Sequence, residues 1–200
     1  MFKLSDLSIA DIDLNKSYSY ADYYGWQIDE RLELINGKVY KLCPAPTTNH
    51  QILTGYIFNR LSDFLEDKGC NVFISPFDVR LPGKSKEDKD IITVVQPDIC
   101  VVCDKSKIDE RGCLGAPDIM VEILSLGSSK KDLKQKYEVY EQSGVREYWV
   151  ISPQNQWCII YTLIDGKYNL SGPFVEGEFI TSTVLPGFSL NLTALFDKLL

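Results

Sequence analysis

A chain of 200 residues with 44% hydrophobic, 24% charged and 12% aromatic residues has the composition of an ordinary globular protein, which excludes disorder, collagen and coiled coil. That length buries roughly 70% of the surface of the unfolded chain, so one substantial core, here expected as a single domain over 1–200, needs no metal or disulfide to hold it. The net charge of −7, from 21 basic and 28 acidic residues, weighs against a general coat for nucleic acid or an anionic membrane and leaves only a local basic groove for such partners.

In chain order, Asp6, Asp11 and Asp13 interrupt the first apolar stretch. No apolar run reaches the roughly 18 residues of a spanning helix, so a soluble, cytoplasmic protein without membrane attachment is expected. RLELINGKVYKL alternates Leu32 and Leu34 with Arg31 and Glu33 and turns at Asn36-Gly37. That pair tolerates the positive φ of a tight hairpin. Between Thr48 and Asp67, Ile52, Leu53, Tyr56, Ile57, Leu61, Phe64 and Leu65 recur at helical spacing, which predicts an amphipathic helix. PGKSKEDKD at 82–90 reads as an exposed charged loop.

NVFISPFDVRL, QPDICVVCD and APDIMVEILS read as strands, the last two apolar enough to be central in a sheet. Ser129 and Asp132 suit a capping box, and Leu133, Tyr137 and Tyr140 form the apolar stripe of a second helix running to Gly144. VREYWVISP, QWCIIYTLI and GKYNLSG are further strands, with a hairpin turn at Asp165-Gly166. The fold class is therefore α+β, a mixed central sheet flanked by helices.

Six cysteines at 43, 70, 100, 103, 113 and 158 are scattered without a secretory pattern and read as reduced thiols. Cys100 and Cys103 share one apolar strand, where residues three apart face opposite sides, so small core residues are a better reading than a zinc ligand pair. The single histidine, His50, excludes multi-histidine metal sites. No nucleophile elbow, phosphate loop or dinucleotide fingerprint occurs.

The unusual feature is acids on otherwise apolar strands. Asp98 stands at the entrance of one and Glu122 inside another, and an ionised carboxylate buried alone is costly. Each alone reads as a strand cap or an ion-pair member. Together, on neighbouring strands, they present several oxygens to a hard cation such as Mg²⁺. Asp132 and Lys136, one helical turn apart, make a surface ion pair; alternatively, Lys136 reaches over the carboxylates toward a metal-bound water or a phosphate.

The ordered series Leu32-Glu33-Leu34-Ile35-Asn36-Gly37, Asn49-His50, Gln96-Pro97-Asp98-Ile99, Pro117-Asp118 through Ser125, Asp132-x-x-x-Lys136-x-x-x-Tyr140 and Gly144-Val145-x-Glu147-Tyr148-Trp149 resembles the Uma-type family of putative restriction endonucleases, within the PD-(D/E)XK nuclease superfamily. The resemblance covers about Tyr20 to Tyr161. It implies a restriction-endonuclease-like sheet, with Asp98 and Glu122 as metal-binding carboxylates and Glu33 joining them. The superfamily lysine two residues after the second acid is here Leu124, and Lys136 resembles its relocated substitute. The expected activity is Mg²⁺- or Mn²⁺-dependent hydrolysis of DNA, with the Ile123 carbonyl as a further ligand and a symmetric dimer suited to double-strand cleavage. His50, Asp132, Lys130 and Lys131 are the expected substrate contacts, His50 suiting either helix capping or a phosphate. The alternative from another class is a noncatalytic nucleic-acid or protein interaction module on the same fold.

Overall fold

The computed structural model describes residues 9–26, 28, 30–42, 46–125 and 133–200, with the backbone alone at 130–132. Its elements begin with α1 (Tyr20–Gly25), the hairpin β1 (Leu32–Ile35) and β2 (Lys38–Lys41), and α2 (Thr48–Leu65). There follow β3 (Asn71–Ile74), β4 (Val79–Arg80), β5 (Val94–Val95), β6 (Ile99–Val102), β7 (Ile108–Asp109), β8 (Gly112–Leu114) and β9 (Ile119–Ile123). The chain ends with α3 (Lys130–Ser143), β10 (Glu147–Ser152), β11 (Trp157–Ile164), β12 (Lys167–Val175), β13 (Phe179–Thr181), β14 (Ser189–Asn191) and α4 (Leu192–Phe196).

The main sheet has the order β12-β11-β10-β9-β6-β3. β9 and β10 run parallel, joined by the α3 crossover that parallel strands require; the other neighbours are antiparallel. Side-chain alternation sorts its strands between two cores. Ile99, Val101, Ile119, Val121, Ile123, Trp149 and Ile151 pack on α2 and α4. Cys100, Val102, Met120, Tyr148 and Val150 face Val139 and Tyr140 of α3, together with Ile35, Val79 and Val95 of a second sheet. That sheet has the order β2-β1-β5-β4-β8-β7. The α+β reading stands, with β6 and β9 in the interior as their continuous apolar runs require. Both hairpin turns also stand, with positive φ at Asn36 (51°) and Gly37 (76°) and at Asp165 (51°) and Gly166 (78°). No described helix is long and apolar enough to cross a membrane.

Four features differ from the sequence reading or add to it. NVFISPFDVRL is two strands: β3 ends at Ile74 in the main sheet and the chain passes Pro76 to β4 in the second, proline having no N–H to continue a ladder. All four residues of β1 are buried, because Leu34 packs among Tyr20, Ile91 and Val94 while Ile35 enters the α3 core; Glu33 is therefore not a solvent-facing partner in the alternation. The reading of six reduced thiols is corrected by a disulfide between Cys70 and Cys103. They extend the β3–β6 register in which Asn71 faces Val102, a cross-strand neighbour relation that a separation of 33 residues hides. Cys100 does turn to the opposite face and is a buried free thiol, like Cys113 and Cys158. Cys43, and Ser129 with the Asp132 side chain of the expected capping box, lie outside the described residues.

The fourth feature is the chain's end, folded back as β13, β14 and α4 over the α2 side of the sheet. Glu147, fully buried on β10, anchors it. Its carboxylate accepts from Trp149 Nε1 at 2.9 Å, Ser182 Oγ at 2.8 Å, and the Thr183 N–H and Oγ1 at 2.6 and 2.7 Å. Replacing Glu147 with Ala strands these donors in a dry site. We predict a loss of about 3 kcal/mol, seen as a lower urea midpoint with an unchanged slope; a loss below about 1 kcal/mol would show that this carboxylate does not anchor the segment. Cys70→Ser is expected to cost the oxidised protein roughly 3–4 kcal/mol through loop entropy, and dithiothreitol should abolish the difference between variant and wild type.

Candidate functional site

The antiparallel register that sets Ile99 against Val121 brings the start of β6 to the end of β9, and one step further it sets Asp98 against Glu122. Asp98 Oδ2 accepts the Ile123 N–H at 2.7 Å and lies 3.1 Å from His50 Nε2. Glu122 shares the sheet face of Met120 and so points toward α3. Its Oε1 accepts from Lys136 Nζ and from the Tyr140 hydroxyl, each at 2.8 Å. Lys136 also donates to Glu33 Oε1 at 3.1 Å, an oxygen that takes the Gln96 backbone N–H at 2.8 Å as well. Glu33, Asp98, Glu122 and Lys136 thus leave separate stretches of chain and line one cavity of about 250 Å³ with His50 and Thr54.

Local structure explains each placement. Lys136 and Tyr140 stand one turn apart on α3, so both reach Glu122 from the same helix face. His50 enters in the first turn of α2, whose cap is the Thr47 side chain accepting the His50 N–H. The capping reading of His50 is therefore corrected, and its ring is free to turn to Asp98, with Nδ1 3.3 Å from Thr54 Oγ1. Leu124, at the position where the superfamily pattern has its lysine, forms cavity wall.

The electrostatics follow from setting two carboxylates on one largely buried ammonium, with a third, Asp98, close enough to act on Glu122. Burial, then the charges of Asp98 and Glu33, push the Glu122 carboxyl up to about 7 against the opposing pull of Lys136. Burial disfavours the Lys136 ammonium, but the charges of Glu122 and Glu33 outweigh it and hold the amine above its ordinary range. Burial likewise lowers His50, and its Asp98 hydrogen bond and charge, with Glu122 and the Ile123 backbone, reverse the effect and raise it. Burial keeps the Tyr140 phenol protonated far above its usual value, so it acts as a donor.

Among the described residues no three His, Cys, Asp or Glu side chains gather closely enough to cage a metal. Asp98 and Glu122 instead form a two-carboxylate set of hard oxygens, the kind that suits Mg²⁺, which retains waters and takes phosphate oxygens.

The side chains of Lys130, Lys131 and Asp132 lie outside the described residues. Lys84, Lys86 and Lys89 are exposed on the 82–90 loop. Four residues not expected at the site also border it: Arg31, Thr54 and Gln96 on its wall, and Tyr140, expected only in the apolar stripe of α3, on Glu122. The spacing of Lys136 and Tyr140 carried a signal for Tyr140, while Gln96 adjoins Pro97-Asp98 and was legible only as motif.

A mixed sheet with helices on both faces and two acids at paired strand ends defines a restriction-endonuclease-like protein. A family model, Uma2, described as "Putative restriction endonuclease", matches residues 20–193; the chain belongs to this family. A similar fold occurs in the crystal structure of a putative nuclease from Anabaena variabilis, with a TM-score of 0.69 and 19% identity over 91% of this chain and 99% of that one. No curated protein matches the sequence.

Lys136→Met should leave Glu33 and Glu122 facing each other in a dry site. Its expected cost is about 3 kcal/mol or more, mostly recovered when Glu122→Gln is added. Denaturation of the single and double variants measures this coupling, and additive losses would refute it.

Proposed function

We propose that the protein is a metal-dependent endonuclease that hydrolyses phosphodiester bonds of DNA with Mg²⁺ or Mn²⁺ as cofactor. The observation that carries this reading is the position of Lys136, buried at the cavity and bonded to both Glu33 and Glu122. A lysine serving only as a solvated helix residue has no reason to be there. Asp98 and Glu122, with the Ile123 carbonyl, are the groups that would hold the cation, and Glu33 fixes Lys136 while remaining beside the shell. When bound, the cation lowers the pKa of its water and neutralises phosphate charge.

The chain's own residues supply the remaining work. The Lys136 ammonium is fixed by two acids, so it is oriented before substrate arrives and can hold an attacking water or the developing charge on phosphate. Tyr140 donates to the same Glu122 oxygen as Lys136, which confines the carboxylate to one rotamer. His50, which burial lowers but the Asp98 hydrogen bond and charge raise, places its imidazole on the α2 wall of the cavity. DNA as substrate keeps the cytoplasm as the place of action, and double-strand cleavage calls for two such centres, as a symmetric pair of chains provides.

The test combines metal binding with cleavage. Mg²⁺ or Mn²⁺ at millimolar concentration should raise the thermal midpoint of the wild type and allow nicking of supercoiled plasmid or cutting of single-stranded DNA. Asp98→Asn and Glu122→Gln should remove the thermal shift and lower the cleavage rate by about a hundredfold or more. Wild-type protein that binds no divalent cation would overturn the reading. DNA or protein binding that survives Glu122→Ala, without cleavage by the wild type, would establish the noncatalytic interaction module instead.

A further inference from the structure

Arg31 stands at the rim between the acidic cavity and a second cavity of about 300 Å³, and it lines both, as does Gln96. The guanidinium is held in place. Its Nε and Nη2 donate to Gln96 Oε1 at 3.1 and 2.8 Å, and Nη2 also donates to Ser75 Oγ. Both acceptors are neutral, and none of the ion pairs among the described residues includes Arg31. A planar cation pre-oriented by neutral groups keeps its charge, and the two N–H donors of its Nη1 remain for an anion such as a phosphate.

The second cavity is aromatic. Tyr23, Tyr24 and Trp26 wall it, with Ile28, Leu32 and Glu30. Its acid is met by Lys41, whose Nζ lies 3.6 Å from Glu30 Oε1. Tyr23 is fixed, its hydroxyl lying 3.2 Å from Asp78 Oδ1 and 3.3 Å from Gln96 Nε2. Tyr24 is 61% exposed, its ring held beside Tyr20 and the Arg111 guanidinium. Outward from Glu122, the order is acid pair, arginine, aromatic pocket. A nucleic-acid strand presents the matching order: scissile phosphate, adjoining phosphate, base.

We propose that Arg31 and the cavity walled by Tyr23, Tyr24 and Trp26 form a nucleotide subsite that takes the phosphate next to the scissile one together with its base. The base must be unpaired, because a base inside a duplex has both faces covered by its neighbours and its edge committed to its partner. The preferred substrate is therefore a single strand or a locally unpaired segment of DNA. The subsite rests on the reading of the acidic cavity as a phosphodiesterase centre, but its binding energy is separable from cleavage.

The experiment uses the whole chain, with Ca²⁺ replacing Mg²⁺ to allow binding without turnover, and reads anisotropy of a fluorescein-labelled single-stranded oligonucleotide and of its duplex. Trp26→Ala should weaken single-strand binding about tenfold or more, with Trp26→Phe restoring most of it. The duplex should bind more weakly to the wild type and respond little to either change. Tyr24→Ala, at a more exposed position than Trp26, should act in the same direction. Arg31→Ala should weaken binding and reduce the salt dependence by about one counterion. Equal affinity of wild type for duplex and single strand, or single-strand binding indifferent to both Trp26→Ala and Tyr24→Ala, would overturn the subsite even if the enzyme cuts DNA. Aromatic-dependent single-strand binding by a protein that cleaves nothing would keep the subsite and remove the nuclease reading.

Discussion

The structure depends on one buried cation. Lys136 Nζ lies 2.8 Å from Glu122 and 3.1 Å from Glu33, and those acids belong to different sheets, β9 of the main one and β1 of the second. Taking three charged groups out of water is expensive, and only their mutual contact makes it tolerable. Helix α3 is therefore not placed by its apolar stripe alone. Val139 and Tyr140 bury it against the main sheet, while the lysine fixes its register and ties the hairpin to the same point. A site assembled in this way cannot drift apart without exposing an unpaired charge, so the cavity and the junction of the two sheets are one structure.

Two buried glutamates on neighbouring strands show how such a site differs from a structural carboxylate. Glu147 on β10 is enclosed by an indole, two hydroxyls and a backbone N–H that converge on it. Its charge is met by dipoles on every side, as in a fully satisfied buried network. Glu122 on β9 has its two donors on a single oxygen and two further acids nearby, which with burial push it up to about 7. The first arrangement is closed and holds the chain's end. The second is open toward a cavity and short of positive charge, the condition in which an ionisable group retains chemistry.

Much of this was legible in the sequence, for physical reasons that differ by element. Helix α2 and strands β6 and β9 announce themselves because their apolar residues follow the period of the structure they form. Asp98 and Glu122 stood out because acids in such strands need a partner. The convergence of Glu33 and Lys136 on those acids rests on strand pairing and helix docking between residues more than a hundred positions apart; the reach of Lys136 was open as an alternative to a surface ion pair, and only the family resemblance pointed to Glu33. Other features were hidden altogether. The break at Pro76 requires knowing that two sheets exist, the Cys70–Cys103 bond requires the β3–β6 register, and the place of Arg31 on the walls of two cavities requires the tertiary structure. The burial of β1 on both faces defeated the alternation rule, since a strand sandwiched between an aromatic cluster and a helix has no solvent side.

The overall charge of −7 takes on a local meaning in this arrangement. Glu33, Asp98 and Glu122 account for three of the acids and face one another across a small cavity, where they repel a phosphate at short range far more than the same charges would when dispersed over a surface. On the proposed reading, a divalent cation held by Asp98 and Glu122 would offset most of that negative charge where the scissile phosphate must sit, so substrate affinity would depend on the cation. Arg31 is in none of the ion pairs among the described residues, and on the same reading it would attract an adjoining phosphate with or without the cation. A negatively charged protein can engage a polyanion on these terms because its attraction is confined to one line across the surface and its repulsion elsewhere weakens attachment to DNA that is not aligned with the site.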